Sequence, residues 1–256
     1  MRLEPGETGQ GIVFERRDLG RGSLIPAGLD HVAATERRTA LRNGSHQVDT
    51  VEHLLAALYA LEIDDLCVVL RGPEIPIVDG SFAPFVALVD QAGRLDRAGP
   101  VRRAQISATL RVTEGDAIYR IKPAEGLDLR VTLVYDEPVI GRQCAALRIS
   151  GESFREEIQA ARTFGFLREV EMLRARGLVG GATTDCAIVL DRDSVLNTAL
   201  HWPDEFARHK AGDLLGDLAL IGARLNVHVD AYRPSHHGNI ACARAIVRAA
   251  RFTEDT

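Results

Sequence analysis

The order of strand-like and helical patterns along the chain is the feature that most constrains its fold. Strand-like apolar runs come in groups, with segments of helical periodicity between the groups, and this order predicts an α+β fold. The strand candidates are residues 11–18, 66–72, 105–112, 117–124, 127–136, 186–190 and 225–232. The helix candidates are residues 49–64, 82–93, 153–161, 204–220 and 239–250.

A polar segment near the middle of the chain, LDRAGPVRR at residues 95–103, reads as a linker because Gly99 and Pro100 stand between two structured stretches. It predicts two domains, an N-terminal α+β domain over residues 1–98 and a C-terminal one over residues 103–256.

Composition excludes several classes of protein. The 256 residues are 46% hydrophobic and 26% charged, as in an ordinary soluble globular protein. A net charge of −5 without a basic stripe argues against nucleic-acid binding. No signal peptide and no apolar run of roughly 18 residues is visible. The four cysteines stand singly in apolar runs, which predicts buried free thiols in a reducing cytoplasm.

Residues 204–220 carry a polar stripe on one side of the predicted helix. His209, Asp213 and Asp217 recur every four residues, and Gly212 and Gly216 precede the two carboxylates. A glycine inside a helix costs about 1 kcal/mol relative to alanine, so two of them indicate that something approaches the backbone closely. The alternative is an ordinary solvated face. A histidine and an aspartate at this spacing can share one metal ion.

A third ligand must come from elsewhere, and His53 is the best candidate. It follows Glu52 in the first turn of the predicted helix 49–64. Two histidines and an aspartate around zinc leave a fourth position for water, and an adjacent carboxylate can take a proton from that water. The alternative is structural, with Glu52 forming a capping box with Asp49 and His53 merely exposed.

Hydrolysis of an amide also needs an acid for the leaving amine. His236 and His237 are candidates in a predicted turn after a strand, and Asp217 could keep such a histidine cationic. Lys210 is a second cation that could lie at the edge of the site. The alternative for the histidine pair is an ordinary surface position.

Five blocks in order carry a resemblance over roughly residues 5–250: TVEHLLAAL, GPEIPIVDGSFAPFV, ARTFGFLREVEMLRARGL, TDCAIVLD and DEFARHKAGDLLGDLAL. Together they closely resemble the zinc-dependent UDP-3-O-acyl-N-acetylglucosamine deacetylases of lipid A biosynthesis. The resemblance implies a sandwich of two similar α+β domains with Zn²⁺ between them. It also implies that a second insert, at about residues 164–186, forms a hydrophobic passage for the acyl chain.

The resemblance also implies a role for each matching residue. The metal ligands are His53, His209 and Asp213. The catalytic residues are Glu52 as base, Thr163 beside the water or oxyanion, Lys210, Asp217 and the histidine that Asp217 orients. The substrate-binding residues are Phe164, Lys210 and Thr163. The expected partner is a UDP-linked acylated amino sugar, with room for peripheral contact with lipid products, and the expected state is a cytoplasmic monomer.

Two departures from the family pattern leave alternatives open. The strand and turn that usually precede the segment resembling GIVFERRD are missing, and Ser235 stands where the family has glycine. The spacing to Asn239 favours His236 over His237 as the catalytic histidine. The hypothesis is therefore zinc-dependent removal of an N-acetyl group. The alternatives are a non-catalytic paralogue that binds zinc or UDP-sugar, and a deacetylase of another acylated amino sugar.

Overall fold

The computed structural model describes residues 1–169 and 186–255, and its mixture of helices and strands confirms the α+β prediction. Five α-helices lie wholly within the described residues. They are α1 (Glu52–Ala60), α2 (Ala83–Ala92), α3 (Gly151–Glu157), α4 (Glu205–Ala219) and α5 (His236–Ala249). Each of them overlaps a segment that the apolar periodicity marks as helical.

Strands before residue 71 form two sheets. The strands are β1 (Arg2–Pro5), β2 (Ile12–Arg16), β3 (Leu24–Pro26), β4 (Val32–Ala34), β5 (Ala40–Asn43), β6 (His46–Val48) and β7 (Leu66–Leu70). One sheet has the order β1-β7-β2-β3, and the other has the order β4-β5-β6. Only β2 and β7 run parallel within these two sheets.

Strands after residue 100 form a seven-stranded sheet and a short pair. The strands are β8 (Val101–Gln105), β9 (Leu110–Glu114), β10 (Ala117–Pro123), β11 (Leu127–Val134), β12 (Arg142–Arg148), β13 (Phe164–Phe166), β14 (Ile188–Leu190), β15 (Arg224–Tyr232) and β16 (Arg251–Asp255). The large sheet has the order β12-β11-β15-β10-β9, with β8 beside β15 and β16 beside β8. Strands β13 and β14 pair in parallel. The division into two domains at the linker stays a prediction.

Helices α1 and α4 pack against each other, and between them they carry the three predicted metal ligands. Leu214, Leu215 and Leu218 of α4 are fully buried, and each such side chain stabilises the fold by about 1.5–3 kcal/mol. The stripe of His209, Asp213 and Asp217 is buried too, at no more than 2% exposure. The solvated-face alternative for this helix is therefore wrong.

Three local predictions are wrong. Asp49 does not cap α1. The N-cap residue of this helix is Val51, and no side-chain hydrogen bond caps the helix there. The Asp49 carboxylate accepts hydrogen bonds from the side chains of Gln47 and Arg38 instead. The segment 105–112 is not one strand, because residues 106–109 separate β8 from β9. The histidine pair does not lie in a turn, because α5 begins at His236.

The thiols and the helix lengths can also be compared with the predictions. Cys242 is buried, as predicted, but Cys144 is exposed on β12, an edge strand whose side chains alternate between the two faces of the sheet.

In the ranges 1–169 and 186–255, no helix combines the length and the apolar character that a membrane span requires. Most of the predicted acyl-passage insert, 170–185, lies outside the described residues.

Candidate active site

The three predicted metal ligands come together from helices far apart in the sequence. His53 projects from the first turn of α1, and His209 and Asp213 project from successive turns of α4. The Nε2 atoms of both histidines lie 3.3 Å from Oδ1 of Asp213. One ligand atom from each residue lies within 4.8 Å of the other two, and all three residues are buried. This spacing lets the three side chains bind one ion.

Unpartnered atoms test whether a metal ion fits this cluster. Nδ1 of His209 must donate its proton to the Ala161 carbonyl oxygen, 3.1 Å away, because a carbonyl can only accept. The lone pair of Nε2 is thereby left for a ligand. Within the described residues, that Nε2 and Oδ1 of Asp213 are buried without a hydrogen-bond partner. A buried polar atom without a partner is costly, and a metal ion would satisfy both atoms.

The protonation states suit a cation as well. Burial lowers the pKa of His209 to about 3, so its imidazole is neutral at pH 7, as a metal ligand must be. Burial by itself would raise the pKa of Asp213, but the positive charge of the neighbouring Lys210 outweighs it and holds that pKa well below its usual value. The Lys210 ammonium donates to Oδ2 of Asp213 at 2.7 Å and leaves Oδ1 facing the histidines.

Glu52 is a buried carboxylate beside the cluster. Oε2 accepts a hydrogen bond from the Thr39 backbone N–H at 3.0 Å, and Oε1 lies 3.9 Å from Nε2 of His236. Burial raises the pKa of Glu52. A carboxylate with a raised pKa is a better proton acceptor near neutral pH, which suits a general base. Glu52 is thus in the site and not in a helix cap.

His236 and His237 point in different directions from the first turn of α5. His236 is 6% exposed and its Nδ1 bonds to Oδ2 of Asp217 at 2.8 Å. His237 is largely exposed, and its Nε2 lies 3.2 Å from Glu114 on β9. Burial alone would lower the pKa of His236, but the Asp217 carboxylate outweighs it and the pKa rises to about 9. His236 is therefore cationic at neutral pH and faces the cluster, while His237 lies outside it.

Phe164 lies beside His209 and Lys210, and Thr163 directly precedes it at the start of β13. The Phe164 ring is half-buried, with its centroid 6.5 Å from the His209 ring and 5.8 Å from the Lys210 ammonium. The Thr163 backbone N–H donates to the Gly80 carbonyl at 2.8 Å, which fixes the start of β13. The contact of the Thr163 hydroxyl with a reacting oxygen stays a prediction.

The glycines of α4 explain how the two helices come so close. A Cβ atom at Gly216 would lie 2.0 Å from the backbone oxygen of Glu52, and one at Gly212 would lie 2.1 Å from Cζ of Phe82. Only glycine at both positions lets α1 and the Phe82 ring lie directly on α4. The prediction that something approaches the backbone there is confirmed.

Comparison with known proteins agrees with the geometry. A family model described as UDP-3-O-acyl N-acetylglycosamine deacetylase matches residues 1–248. The chain belongs to this family. Three relatives carry the name UDP-3-O-acyl-N-acetylglucosamine deacetylase. The Myxococcus xanthus protein is 42% identical over 96% of this chain and 79% of its own length. The Nautilia profundicola protein is 38% identical over 98% of this chain and 86% of its own length. The Anaeromyxobacter protein is 40% identical over 100% of this chain and 86% of its own length.

Sequence reasoning missed two residues of this deacetylase-family site. Thr39, in the loop before β5, is fully buried, and its hydroxyl donates to Oδ1 of Asp217 at 2.5 Å. Phe82 is fully buried with its ring centroid 4.9 Å from that of His53 and 5.2 Å from that of His209. Thr39 has no local signal in the sequence. Phe82 has an indirect one, the helical glycine at position 212 that makes room for its ring.

Proposed function

We propose that this chain is a zinc-dependent deacetylase of UDP-3-O-acyl-N-acetylglucosamine, acting at an early committed step of lipid A biosynthesis. The observation that carries the proposal is the surroundings of the His53, His209 and Asp213 cluster. A buried carboxylate, Glu52, and a buried cationic histidine, His236, lie 3.9 Å apart beside it. Membership of the deacetylase family gives the substrate class.

The residues that would hold the zinc ion are His53, His209 and Asp213. Once bound, zinc would act as a Lewis acid that acidifies water and polarises the acetamide carbonyl. Glu52 takes a proton from the water molecule that attacks the carbonyl carbon. The attack forms a C–O bond, and the C–N bond then breaks to give acetate and the free amine.

His236 supplies the acid half of the reaction. In its protonated form it stabilises the developing oxyanion and donates a proton to the leaving amine. Asp217 holds the ring in place through Nδ1, so the Nε2 proton faces the reaction. Thr163 also binds the oxyanion in this proposal.

The substrate would be recognised at the rim of the cluster. Lys210, with the raised pKa that Asp213 gives it in spite of burial, supplies a positive charge beside the reacting group. The Phe164 ring offers an apolar surface to the acylated sugar. We further propose the cytoplasm as the compartment, because Cys67, Cys144 and Cys242 are free thiols, as is usual in a reducing compartment.

Acetate release from the UDP-linked substrate, measured together with zinc content, tests the proposal. We expect Glu52→Gln to keep about one zinc per chain and to lose activity by at least about 100-fold, the range typical of a general base. The control is Glu156→Gln, an exposed acid on α3, which should behave as the parent protein. Full activity in Glu52→Gln would remove Glu52 from the base role. Zinc binding without any turnover by the parent protein would instead support a non-catalytic paralogue.

A further inference from the structure

We infer that Glu205 is a positioning residue for the metal ligand His209, and that it acts through the peptide bond between Ala161 and Arg162. The inference rests on the metal site of the proposed function. It assigns a role to a buried carboxylate that does not itself face the His53, His209 and Asp213 cluster.

One peptide group lies between the two side chains. Glu205 is fully buried in the first turn of α4, one turn before His209. Its Oε1 accepts a hydrogen bond from the backbone N–H of Arg162 at 3.2 Å. The carbonyl at the other end of the same peptide, that of Ala161, accepts the Nδ1 proton of His209 at 3.1 Å. The 161–162 peptide therefore connects the Glu205 carboxylate to the His209 imidazole through one hydrogen bond at each end.

The negative charge of Glu205 at one end of this peptide favours a fixed orientation of the His209 ring at the other end. The N–H and C=O of a trans peptide are held in one plane and point in opposite directions. A carboxylate at the N–H end fixes that plane and polarises the group, and its carbonyl becomes a stronger acceptor. A stronger acceptor holds the Nδ1–H tautomer of His209 and makes Nε2 a better donor to a metal ion. The arrangement is a carboxylate–histidine–metal relay with a peptide inserted in it.

The carboxylate is itself held rigidly. The Arg162 guanidinium donates to Oε1 through Nε at 2.8 Å, and the His201 backbone N–H donates to Oε2 at 2.6 Å. The same guanidinium donates to the Thr198 hydroxyl at 2.9 Å and the Ala199 carbonyl at 2.8 Å. These bonds join the loop before β13 and the loop before α4 to one carboxylate, so the peptide at 161–162 cannot rotate independently of the helix that carries His209.

Zinc affinity measures this role without reference to turnover. Metal-free protein is titrated with zinc in competition with a chelator of known affinity. We expect Glu205→Gln, which keeps an acceptor oxygen but loses the charge, to bind zinc about 10-fold or more weakly, within the roughly 10–100-fold range of residues that support metal ligands. Glu205→Asp, which withdraws the carboxylate from the peptide, should weaken binding as well. It serves as the second variant if Glu205→Gln does not fold.

Two acidic residues outside this relay provide the controls. Asp204→Asn removes an ion pair with Arg208 at 2.8 Å on the same helix, and in the described residues that pair does not contact the 161–162 peptide. Glu156→Gln removes an exposed acid on α3. We expect both controls to bind zinc as tightly as the parent protein, because in the described residues neither side chain hydrogen-bonds to Glu205 or to the 161–162 peptide.

A tautomer measurement gives a second readout that a loss of packing alone would not change. In ¹⁵N spectra of metal-free protein, His209 should be in the Nδ1–H form in the parent and in Asp204→Asn, and should show mixed tautomers in Glu205→Gln. Unchanged affinity and tautomer in a folded Glu205 variant would overturn the inference. If the parent binds no zinc, or His209→Ala binds it equally well, the proposed function fails instead, and the tautomer readout still decides the role of Glu205.

Discussion

Asp217 serves three donors at once. Its Oδ2 accepts from Nδ1 of His236 and from the Asn239 amide, both at 2.8 Å, and its Oδ1 accepts from the Thr39 hydroxyl. These three donors satisfy the hydrogen-bonding capacity of a side chain that is wholly removed from water. Burial alone would lower the pKa of His236, but the neighbouring Asp217 carboxylate outweighs burial, and His236 stays protonated at neutral pH.

The pH dependence of turnover should report this pair. Because His236 acts as an acid, activity should fall as pH rises through its pKa of about 9. Asp217→Asn removes the charge that raises this pKa, so the falling limb should move to lower pH by roughly one to three units. The measurement is kcat from neutral to alkaline pH, with Asp204→Asn as the control. A falling limb that stays in place in Asp217→Asn would exclude His236 as the acid.

The close contact between α1 and α4 depends on a glycine, Gly216, that has no side chain between the two helices. Gly216→Ala would place Cβ 2.0 Å from the Glu52 carbonyl oxygen, so the helices must separate. Overpacking of this kind costs about 1–3 kcal/mol, more than the roughly 1 kcal/mol that alanine gains in a helix. Urea unfolding should show the loss. Gly165→Ala, whose Cβ would meet nothing within 4 Å, should leave stability nearly unchanged. A Gly216→Ala protein at least as stable as the parent would contradict the packing.

The start of α5 allows a second test. The Ser235 hydroxyl caps the helix by accepting from the Gly238 N–H at 3.1 Å. Ser235→Ala should therefore lower the free energy of unfolding by about 1 kcal/mol, and Ser235→Gly by only a few tenths. The two variants are compared by thermal unfolding. A larger loss in the glycine variant would show that the hydroxyl is not the stabilising feature. The departure from the family pattern at this position is therefore compatible with the same helix start.

Sequence patterns predict the helices of this molecule better than its strands. Helices α1 and α4 are visible because apolar periodicity is a local property. Strand β1 is only four residues long, and it is defined by its pairing with β7, more than 60 residues away. The residues of the site also differ in how far they can be predicted from the sequence. The spacing of His209, Asp213 and Asp217 is local and readable, whereas the contacts of Thr39 and Glu205 exist only after distant segments have packed.

For the whole molecule, metal binding and stability should be linked. An ion that binds only the folded chain stabilises it by about 2.7 kcal/mol when its free concentration is 100 times the dissociation constant. Zinc added to metal-free protein should therefore raise the melting temperature, and a chelator should reverse the change. His209→Ala should show no such response. An equal rise in His209→Ala would mean that zinc binds elsewhere on the chain.

The position of the ligands along the chain also has a consequence for biosynthesis. His53 leaves the ribosome long before His209 and Asp213 are translated, and chains generally fold from the N-terminal part first during synthesis. No nascent fragment ending before α4 contains more than one of the three proposed metal ligands. The emerging chain thus cannot assemble the proposed metal site, and the proposed hydrolytic centre is complete only once translation has passed the start of α5, which carries His236.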